Sequence, residues 1–177
     1  FYILLFSTLF ICIPLAAHSN VTQLFPEGTC FTKIAATHTI AQMSALVFML
    51  LMPLFFVRLG VKWMLAVGMF AWGLRYALFA LCAPDAVTWM IILGIALHGM
   101  CYDFFFVTGQ IYVDKKSTPE IRGQAQGLIV LITYGVGMLV GAQVAGRVFN
   151  SFLGEEKALN LLQWNHFWWI PSIFAIV

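Results

Sequence analysis

Long apolar stretches alternate with short polar ones along the whole chain. In the middle of the chain each apolar stretch is close to the roughly 20 residues that a helix needs to cross a bilayer. Only helices and closed barrels satisfy every backbone amide in lipid, and the alternating ten-residue pattern of a barrel is absent from the sequence. The pattern therefore predicts six helices, at residues 1–17, 40–57, 63–81, 88–111, 125–144 and 167–177.

The first and last of these runs reach the two ends of the chain. Phe1 is not an initiator methionine, no signal-peptide pattern follows it, and Val177 lies inside an apolar run. The sequence is therefore interpreted as a fragment of a longer polytopic protein, with four complete spans and two incomplete terminal ones. The predicted fold class is an all-α membrane helical bundle.

Composition agrees with a membrane environment. Hydrophobic residues make up 62% of the chain and charged residues 9%, whereas soluble domains carry about 25% charged residues. The mean hydropathy is +0.94. A net charge of +2 without a dense basic cluster excludes nucleic acid as an expected partner. The positive-inside rule predicts that the loops with most basic residues are cytoplasmic: these hold Arg58, Lys62, Lys115, Lys116 and Arg122, while the outer loops hold Lys33, Arg147 and Lys157.

An acid and a histidine lie deep inside the fourth apolar run. A carboxylate at the centre of a bilayer costs about 3 kcal/mol on insertion scales, so Asp103 predicts a solute or proton pathway. At the helical step of 100° per residue, the polar and aromatic groups of this run share one arc. That arc holds His98, Gly99, Tyr102, Asp103, Phe106, Gly109 and Gln110. The alternative is that Asp103 and His98 only tie neighbouring helices together.

Arg75 is a second charge inside an apolar run. It lies in the outer half of the third run, roughly 10 Å or more from the depth of Asp103, which is too far for a direct ion pair. Two interpretations stay open for Arg75. It either extends its guanidinium towards the outer surface or bonds a carbonyl, or it helps to close an outer gate.

Two short basic loops have the spacing of a known superfamily. Arg58, Gly60 and Lys62 resemble a degenerate copy of the Asp-Arg-x-Gly-Arg-Lys loop of the major facilitator superfamily. Pro119-x-x-Arg122-Gly-x-Ala-x-Gly resembles the segment that leads into the eleventh helix of that superfamily. In the next span, Gly137 and Gly141 form a small-residue motif that predicts close helix packing.

A narrower resemblance rests on three further segments. Gln42-Met-Ser44, Trp72-x-x-Arg75-Tyr76 and Tyr102-Asp103-Phe-Phe are similar to the C-terminal half of the bacterial nucleoside/proton symporters. The resemblance implies helices seven to twelve of a twelve-helix transporter in the inner membrane of a bacterium. Its implied partners are a nucleoside, membrane lipid and the N-terminal half, and it implies no cofactor beyond the proton as coupling ion.

The resemblance also implies roles for individual residues. Asp103 would couple the proton and contact the solute, with His98, Tyr102 and Gln42 as further solute contacts. Phe106 is predicted as a solute contact from its place on the same arc of the fourth span. The chain departs from the family pattern where polar residues are replaced, at Ala45, Ile13 and Ala16.

The resemblance implies proton-coupled uptake of nucleosides by alternating access, and this mechanism can be stated in physical terms. Burial disfavours the charged form of a carboxylate, so Asp103 would take up a proton outside and release it inside. The halves would rock about a site near the midplane. A sugar or drug transporter of the same superfamily is the nearest alternative, and a non-transporting receptor is a more distant one. The sequence has no nucleophile–base pair, HExxH motif or phosphate-binding loop, and is therefore not expected to be an enzyme or to bind a metal.

Four cysteines show no metal-ligand spacing. Cys12 and Cys101 lie within spans and are interpreted as small hydrophobic residues. Cys30 and Cys82 both fall on the predicted outer side, so a disulfide between them stays open at this point.

Overall fold

The computed structural model describes residues 2–21, 34–82, 87–153 and 159–176. Every regular element in these ranges is helical, because in lipid a helix satisfies its own backbone groups. Most residues of the predicted outer loops lie outside the described ranges, Cys30, Lys33 and Lys157 among them. The helices are α1 Tyr2–Val21, α2 Ile34–Cys82, α3 Thr88–Ala96, α4 His98–Tyr102, α5 Thr108–Lys116, α6 Arg122–Val130, α7 Met138–Leu153 and α8 Leu161–Ile176.

Two stretches of π-helix interrupt the spans. Asp103–Val107 joins α4 to α5, and Leu131–Gly137 joins α6 to α7. By length and composition, four helical stretches of the described chain are able to cross a membrane. They are Tyr2–Asn20, Thr39–Cys82, Trp89–Lys116 and Arg122–Leu153.

The second and third predicted spans form one long helix with a single break. Gly60 has φ 67° and ψ 172°, and this non-helical residue divides α2 into a first arm, 34–59, and a second arm, 61–82. The arms run in opposite directions along the fourth span. Phe48 and Phe55 of the first arm pack on Phe104, as does the backbone at Gly68 of the second arm. The short turn predicted between the second and third apolar runs therefore consists of a single residue, Gly60.

Gly60→Ala is expected to lower the free energy of unfolding by about 1–3 kcal/mol. The φ and ψ of Gly60 lie in a region that is open almost exclusively to glycine, although a methyl group there would meet no atom within 4 Å. Thermal unfolding of the full-length protein in detergent measures the change. Gly123→Ala, also in uncrowded space but without a positive φ, is the matched control. Equal unfolding temperatures for both variants would contradict this explanation.

The second arm of α2 is held mainly by α8, which runs antiparallel to it. Asn165 donates to the carbonyl of Ala80 (2.7 Å), and Ser172 donates to the carbonyl of Gly73 (2.8 Å). Between these bonds, Tyr76 stacks on Trp168 with ring centroids 5.8 Å apart. Apart from Arg75, the largest fully buried side chains of this core are aromatic: Trp72, Tyr76, Phe79, Phe167 and Trp168.

Helix α1 lies between this pair and the fifth span. The hydroxyl of Tyr76 donates to the carbonyl of Pro14 (2.6 Å), and on another face Cys12 donates to the carbonyl of Thr133 (3.4 Å). Gly137 and Gly141 let α1 and the fifth span approach each other closely. A Cβ atom at Gly141 would lie 2.6 Å from the carbonyl oxygen of Cys12 and 2.9 Å from the Cβ of Ala16. The small residues therefore let two helices meet at backbone distance.

Candidate functional site

Arg75 lies at the centre of the polar group inside the bundle. Its side chain is fully buried (0% exposed), and Nη1 lies 2.8 Å from Nδ1 of His98. Nη2 contacts the ring nitrogens of His18, with Nε2 the nearer one. The guanidinium also lies over the rings of Trp72 and Phe79, 5.6 and 5.5 Å from their centroids. Three segments of the chain, α1, α2 and α4, thus meet at one cation.

These contacts correct one interpretation of Arg75. It does not extend towards the outer surface, and its described bonds go to imidazole rings and not to a carbonyl. Aromatic rings and imidazoles stabilise the guanidinium where it lies, so it has no need to reach water. In the described ranges the single ion pair is that between Arg122 and Asp114. A role for Arg75 in closing an outer gate stays a prediction.

Asp103 begins the π-helical stretch of the fourth span. Its side chain is 3% exposed, and Oδ2 has no hydrogen-bond partner among the described residues. The next three residues, Phe104 to Phe106, are also buried. A buried carboxylate oxygen without a hydrogen-bond partner lowers the stability of the protein. Such a group therefore usually has a functional role. π-Helical turns are rare in proteins overall, but those that occur are often found at functional sites.

The rings of His98, Tyr102 and Phe106 form an aromatic row along the fourth span, from the contacts of Arg75 to the turn that contains Asp103. The ring of His98 lies 5.9 Å from that of His18 and 5.9 Å from that of Tyr102. Tyr102 lies 5.1 Å from Phe106, and its hydroxyl is hydrogen-bonded to that of Tyr134. The structure therefore brings three predicted site residues, His98, Tyr102 and Phe106, side by side.

Two members of this group were not predicted from the sequence. His18 directly follows the first predicted run, 1–17, and Tyr134 lies within the fifth. The signal used for Asp103 was a polar side chain inside an apolar run. It would select His18 only if the first run were extended towards Val21, where the structure ends that helix. Tyr134 carries a weaker signal, because tyrosine is common at membrane interfaces.

The predicted arc of the fourth span is only partly correct. Gly99 was placed on the polar arc, but it faces the first arm of α2, where an added Cβ would lie 2.4 Å from the backbone nitrogen of Ala45. Gly109 faces Leu4 of α1. The π-helical turn after Tyr102 changes the number of residues per turn, so a uniform step of 100° does not hold for the residues that follow, Gly109 among them. Gly99 precedes this turn, and its lack of a side chain lets the backbone of the first arm approach it.

Gln42 lies apart from the other predicted solute contacts. Its side chain is exposed on the first arm of α2, and no described contact connects it to His98 or Tyr102. The positions that depart from the family pattern are packed against helices. Ala16 is buried beside Gly141, and Ile13 lines an apolar cavity of about 130 Å³ with Phe167 and Pro171.

Short-range contacts hold the second of the two basic loops. Arg122 forms its ion pair with Asp114 at 3.2 Å, and both side chains are about half exposed. Lys115 lies over the ring of Phe56, 4.6 Å from its centroid, and so connects this loop to the first arm of α2. Arg58 and Lys62 are exposed on either side of Gly60. A hydrogen bond from Thr118 lowers the pKa of the exposed Glu120 below its usual value.

Of the two cysteines considered for a disulfide, Cys30 and Cys82, the structure describes only Cys82. Cys82 is a buried free thiol that donates to the carbonyl of Phe79 (3.3 Å). Cys30 lies outside the described residues. Cys12 and Cys101 are also free and buried, which agrees with their interpretation as small hydrophobic residues.

The described residues form a bundle with helices of spanning length that buries an arginine, a histidine and an aspartate, which defines a polytopic membrane protein with ionisable groups inside its spans. The chain belongs to the nucleoside H⁺ symporter family, whose model matches residues 1–177. YegT of Escherichia coli K12 is 31% identical over all of the chain, and the nucleoside permease NupG of the same organism is 32% identical over 78% of it. The chain spans 43% of YegT and 32% of NupG.

Solved structures agree on the fold. A crystal structure of the nucleoside transporter NupG matches 95% of the chain and 44% of its own with a TM-score of 0.75 at 27% identity. A mutant of NupG matches 99% of the chain and 45% of its own with a TM-score of 0.78 at 24% identity, which supports the fold alone. The predictions of an all-α major facilitator bundle, of this family and of a multi-pass protein of the bacterial inner membrane are confirmed.

Proposed function

We propose that the chain forms the C-terminal half, helices seven to twelve, of a proton-coupled nucleoside transporter that works by alternating access. Family membership supports the class of solute, and the relatives with nucleoside names span more than twice its length. The observation that carries the proton role is Asp103, which is 3% exposed and has an unpartnered Oδ2 inside a spanning helix.

Asp103 is proposed to bind the coupling proton. Protonation removes the charge of a carboxylate, and a neutral acid costs far less to keep in a dry helix bundle. The occluded conformation, in which the solute site is closed to both sides, then requires a protonated Asp103. Release of the proton to the inside favours the conformation that is open again. The membrane potential adds about 2.3 kcal/mol per charge per 100 mV to inward movement of the proton. No cofactor is needed for this cycle.

The solute is proposed to bind along the aromatic row. Tyr102 and Phe106 offer ring faces for a planar base, and the hydroxyls of Tyr102 and Tyr134 offer donors and acceptors for a sugar. Gln42, exposed on the first arm of α2, would contact the solute only after the other half of the transporter closes over it. The polar groups lost at Ala45, Ile13 and Ala16 would then come from that N-terminal half.

Competition for uptake tests the class of solute. The full-length reading frame that contains this chain is expressed in cells lacking endogenous nucleoside transport, and uptake of radiolabelled uridine is measured. Unlabelled nucleosides in excess are expected to suppress uptake, while hexoses and pentoses leave it unchanged. Suppression by sugars and not by nucleosides would overturn the proposal in favour of a sugar transporter. Solute binding without uptake would favour a receptor.

A further inference from the structure

The fourth and fifth spans are paired in a register that brings one tyrosine of each to the same depth. Near the cytoplasmic loop, the side-chain amide of Gln126 donates to the carbonyl of Gln110 (2.8 Å). Tyr102 lies eight residues before Gln110, and Tyr134 lies eight residues after Gln126. The two spans run in opposite directions and a helix rises about 1.5 Å per residue, so both tyrosines lie roughly 12 Å from this bond. The contact between their hydroxyls therefore follows from the pairing of the spans.

The hydroxyl pair of Tyr102 and Tyr134 has hydrogen-bonding capacity left over. A tyrosine hydroxyl has one proton to donate and an oxygen that accepts. One proton is used between the two oxygens, whichever of them donates. The hydroxyl that accepts this bond keeps its own proton, and the hydroxyl that donates keeps an oxygen able to accept. Among the described residues neither hydroxyl has a further hydrogen-bond partner. The pair therefore offers one donor and one acceptor side by side.

The pair is accessible and adjoins the aromatic row. The side chain of Tyr134 is 47% exposed and that of Tyr102 is partly exposed. The ring of Tyr102 is a member of the row, 5.1 Å from the ring of Phe106. Its hydroxyl is the end of the ring that points towards the fifth span, where it meets Tyr134. A solute whose planar part lies on the row would thus bring a polar substituent to the hydroxyl pair.

We propose that the paired hydroxyls of Tyr102 and Tyr134 bind the cis-vicinal diol of a ribose, and that the transporter therefore prefers ribonucleosides to deoxyribonucleosides. The two oxygens of such a diol lie about as far apart as two hydrogen-bonded hydroxyl oxygens. One sugar hydroxyl accepts the proton that the pair still has, and the other donates to the oxygen that still accepts. This inference rests on the proposed function, because it takes the solute to be a nucleoside whose base lies on the aromatic row.

The preference arises because a deoxy sugar fills only one of the two positions. A single hydroxyl that served both tyrosines would have to bend both hydrogen bonds away from the favoured straight geometry. The donor or the acceptor of the pair is then left without a partner in the solute, which weakens binding of the deoxy analogue. The pair is also prepared before the solute arrives, since each hydroxyl holds the other in place.

Competition by deoxy analogues tests the diol in the unsubstituted full-length transporter. Uptake of radiolabelled uridine is measured in cells lacking endogenous nucleoside transport, with unlabelled uridine, 2′-deoxyuridine or 3′-deoxyuridine as the competitor. Each deoxy analogue lacks one hydroxyl of the diol and keeps the base. We expect both analogues to need about tenfold higher concentrations than uridine for the same inhibition, which is the effect of one lost hydrogen bond. Equal inhibition by uridine and both analogues would overturn the proposal.

Removal of one tyrosine hydroxyl separates recognition of the diol from a merely structural tie between the spans. Tyr134→Phe and Tyr102→Phe keep the aromatic ring and lose one hydroxyl each. If the lost hydroxyl contacts the sugar, uridine loses the bond that one deoxy analogue never makes. The tenfold preference over at least one analogue is therefore expected to fall to about one in each variant. A tie between the spans predicts that all three solutes weaken by the same factor, and this outcome would overturn the proposal.

Tyr112→Phe is the matched control, because it makes the same change in the same span. Tyr112 packs beside Val113, in the cytoplasmic half of the span and away from the hydroxyl pair. The preference for uridine is expected to stay as in the unsubstituted protein, and an equal loss in Tyr112→Phe would count against the proposal. Uridine uptake with no preference over the deoxy analogues would overturn this inference and leave the proposed function standing. Absence of uridine uptake by the unsubstituted transporter would overturn both.

Discussion

Asp103→Asn is expected to abolish accumulation of nucleoside against its gradient while leaving exchange of solute across the membrane. Asparagine has nearly the same shape as protonated aspartate, so the packing among buried phenylalanines is retained, but it neither binds nor releases a proton. One charge driven by 100 mV supplies about 2.3 kcal/mol, enough for roughly fiftyfold accumulation. The accumulation ratio in energised membrane vesicles is expected to fall from that range to about one.

A second carboxyl-to-amide change provides the control for this experiment. Glu120 lies fully exposed in the loop before α6, so Glu120→Gln removes an acid without touching the bundle interior. It is expected to accumulate nucleoside as the unsubstituted protein does. Counterflow of labelled uridine separates loss of coupling from loss of folding, because it needs a working site but no proton. Undiminished, pH-dependent accumulation by Asp103→Asn would remove Asp103 from the coupling step.

The all-α fold could be predicted from the sequence because the cause of each helix is local. Each apolar run must satisfy its own backbone in lipid, so length and hydropathy suffice to place it. The break at Gly60 could also be predicted from the sequence, because glycine is the residue that a sharp turn between two spans requires. The helices nevertheless extend beyond the apolar runs. Helix α2 begins at Ile34, six residues before the predicted run at Ile40, and the residues between contain no proline or glycine that would interrupt a helix.

The candidate site was predicted only where its members share one helix. His98 and Tyr102 are four residues apart, so helical geometry brings their rings together. The contacts of Arg75 with His18 and His98 join residues 57 and 23 positions apart, and a helical wheel contains no information about which helices are neighbours. The π-helical turns at Asp103–Val107 and Leu131–Gly137 add a shift that a uniform period does not include. Tyr134, which reaches Tyr102 from the second of these turns, was therefore missed.

Gly141→Ala is expected to destabilise the protein by about 1–3 kcal/mol, which is the usual cost of overpacking a tight contact. The added Cβ would lie 2.6 Å from the carbonyl oxygen of Cys12 and 2.9 Å from the Cβ of Ala16. The first obstacle is backbone, which no rotamer change relieves, so α1 has to move away from α7. Thermal unfolding of the full-length protein in detergent measures the loss.

Gly146→Ala is the matched control, because it makes the same change in the same helix. A Cβ at Gly146 meets no atom within 4 Å, so only the intrinsic helix preference changes, and alanine is favoured there by up to about 1 kcal/mol. Gly146→Ala is therefore expected to unfold at the same temperature as the unsubstituted protein or slightly above it. If both variants lost equal stability, the close approach of α1 and α7 would not be the cause. A loss at Gly141 alone would establish that the motif holds α1, and with it His18, against the rest of the site.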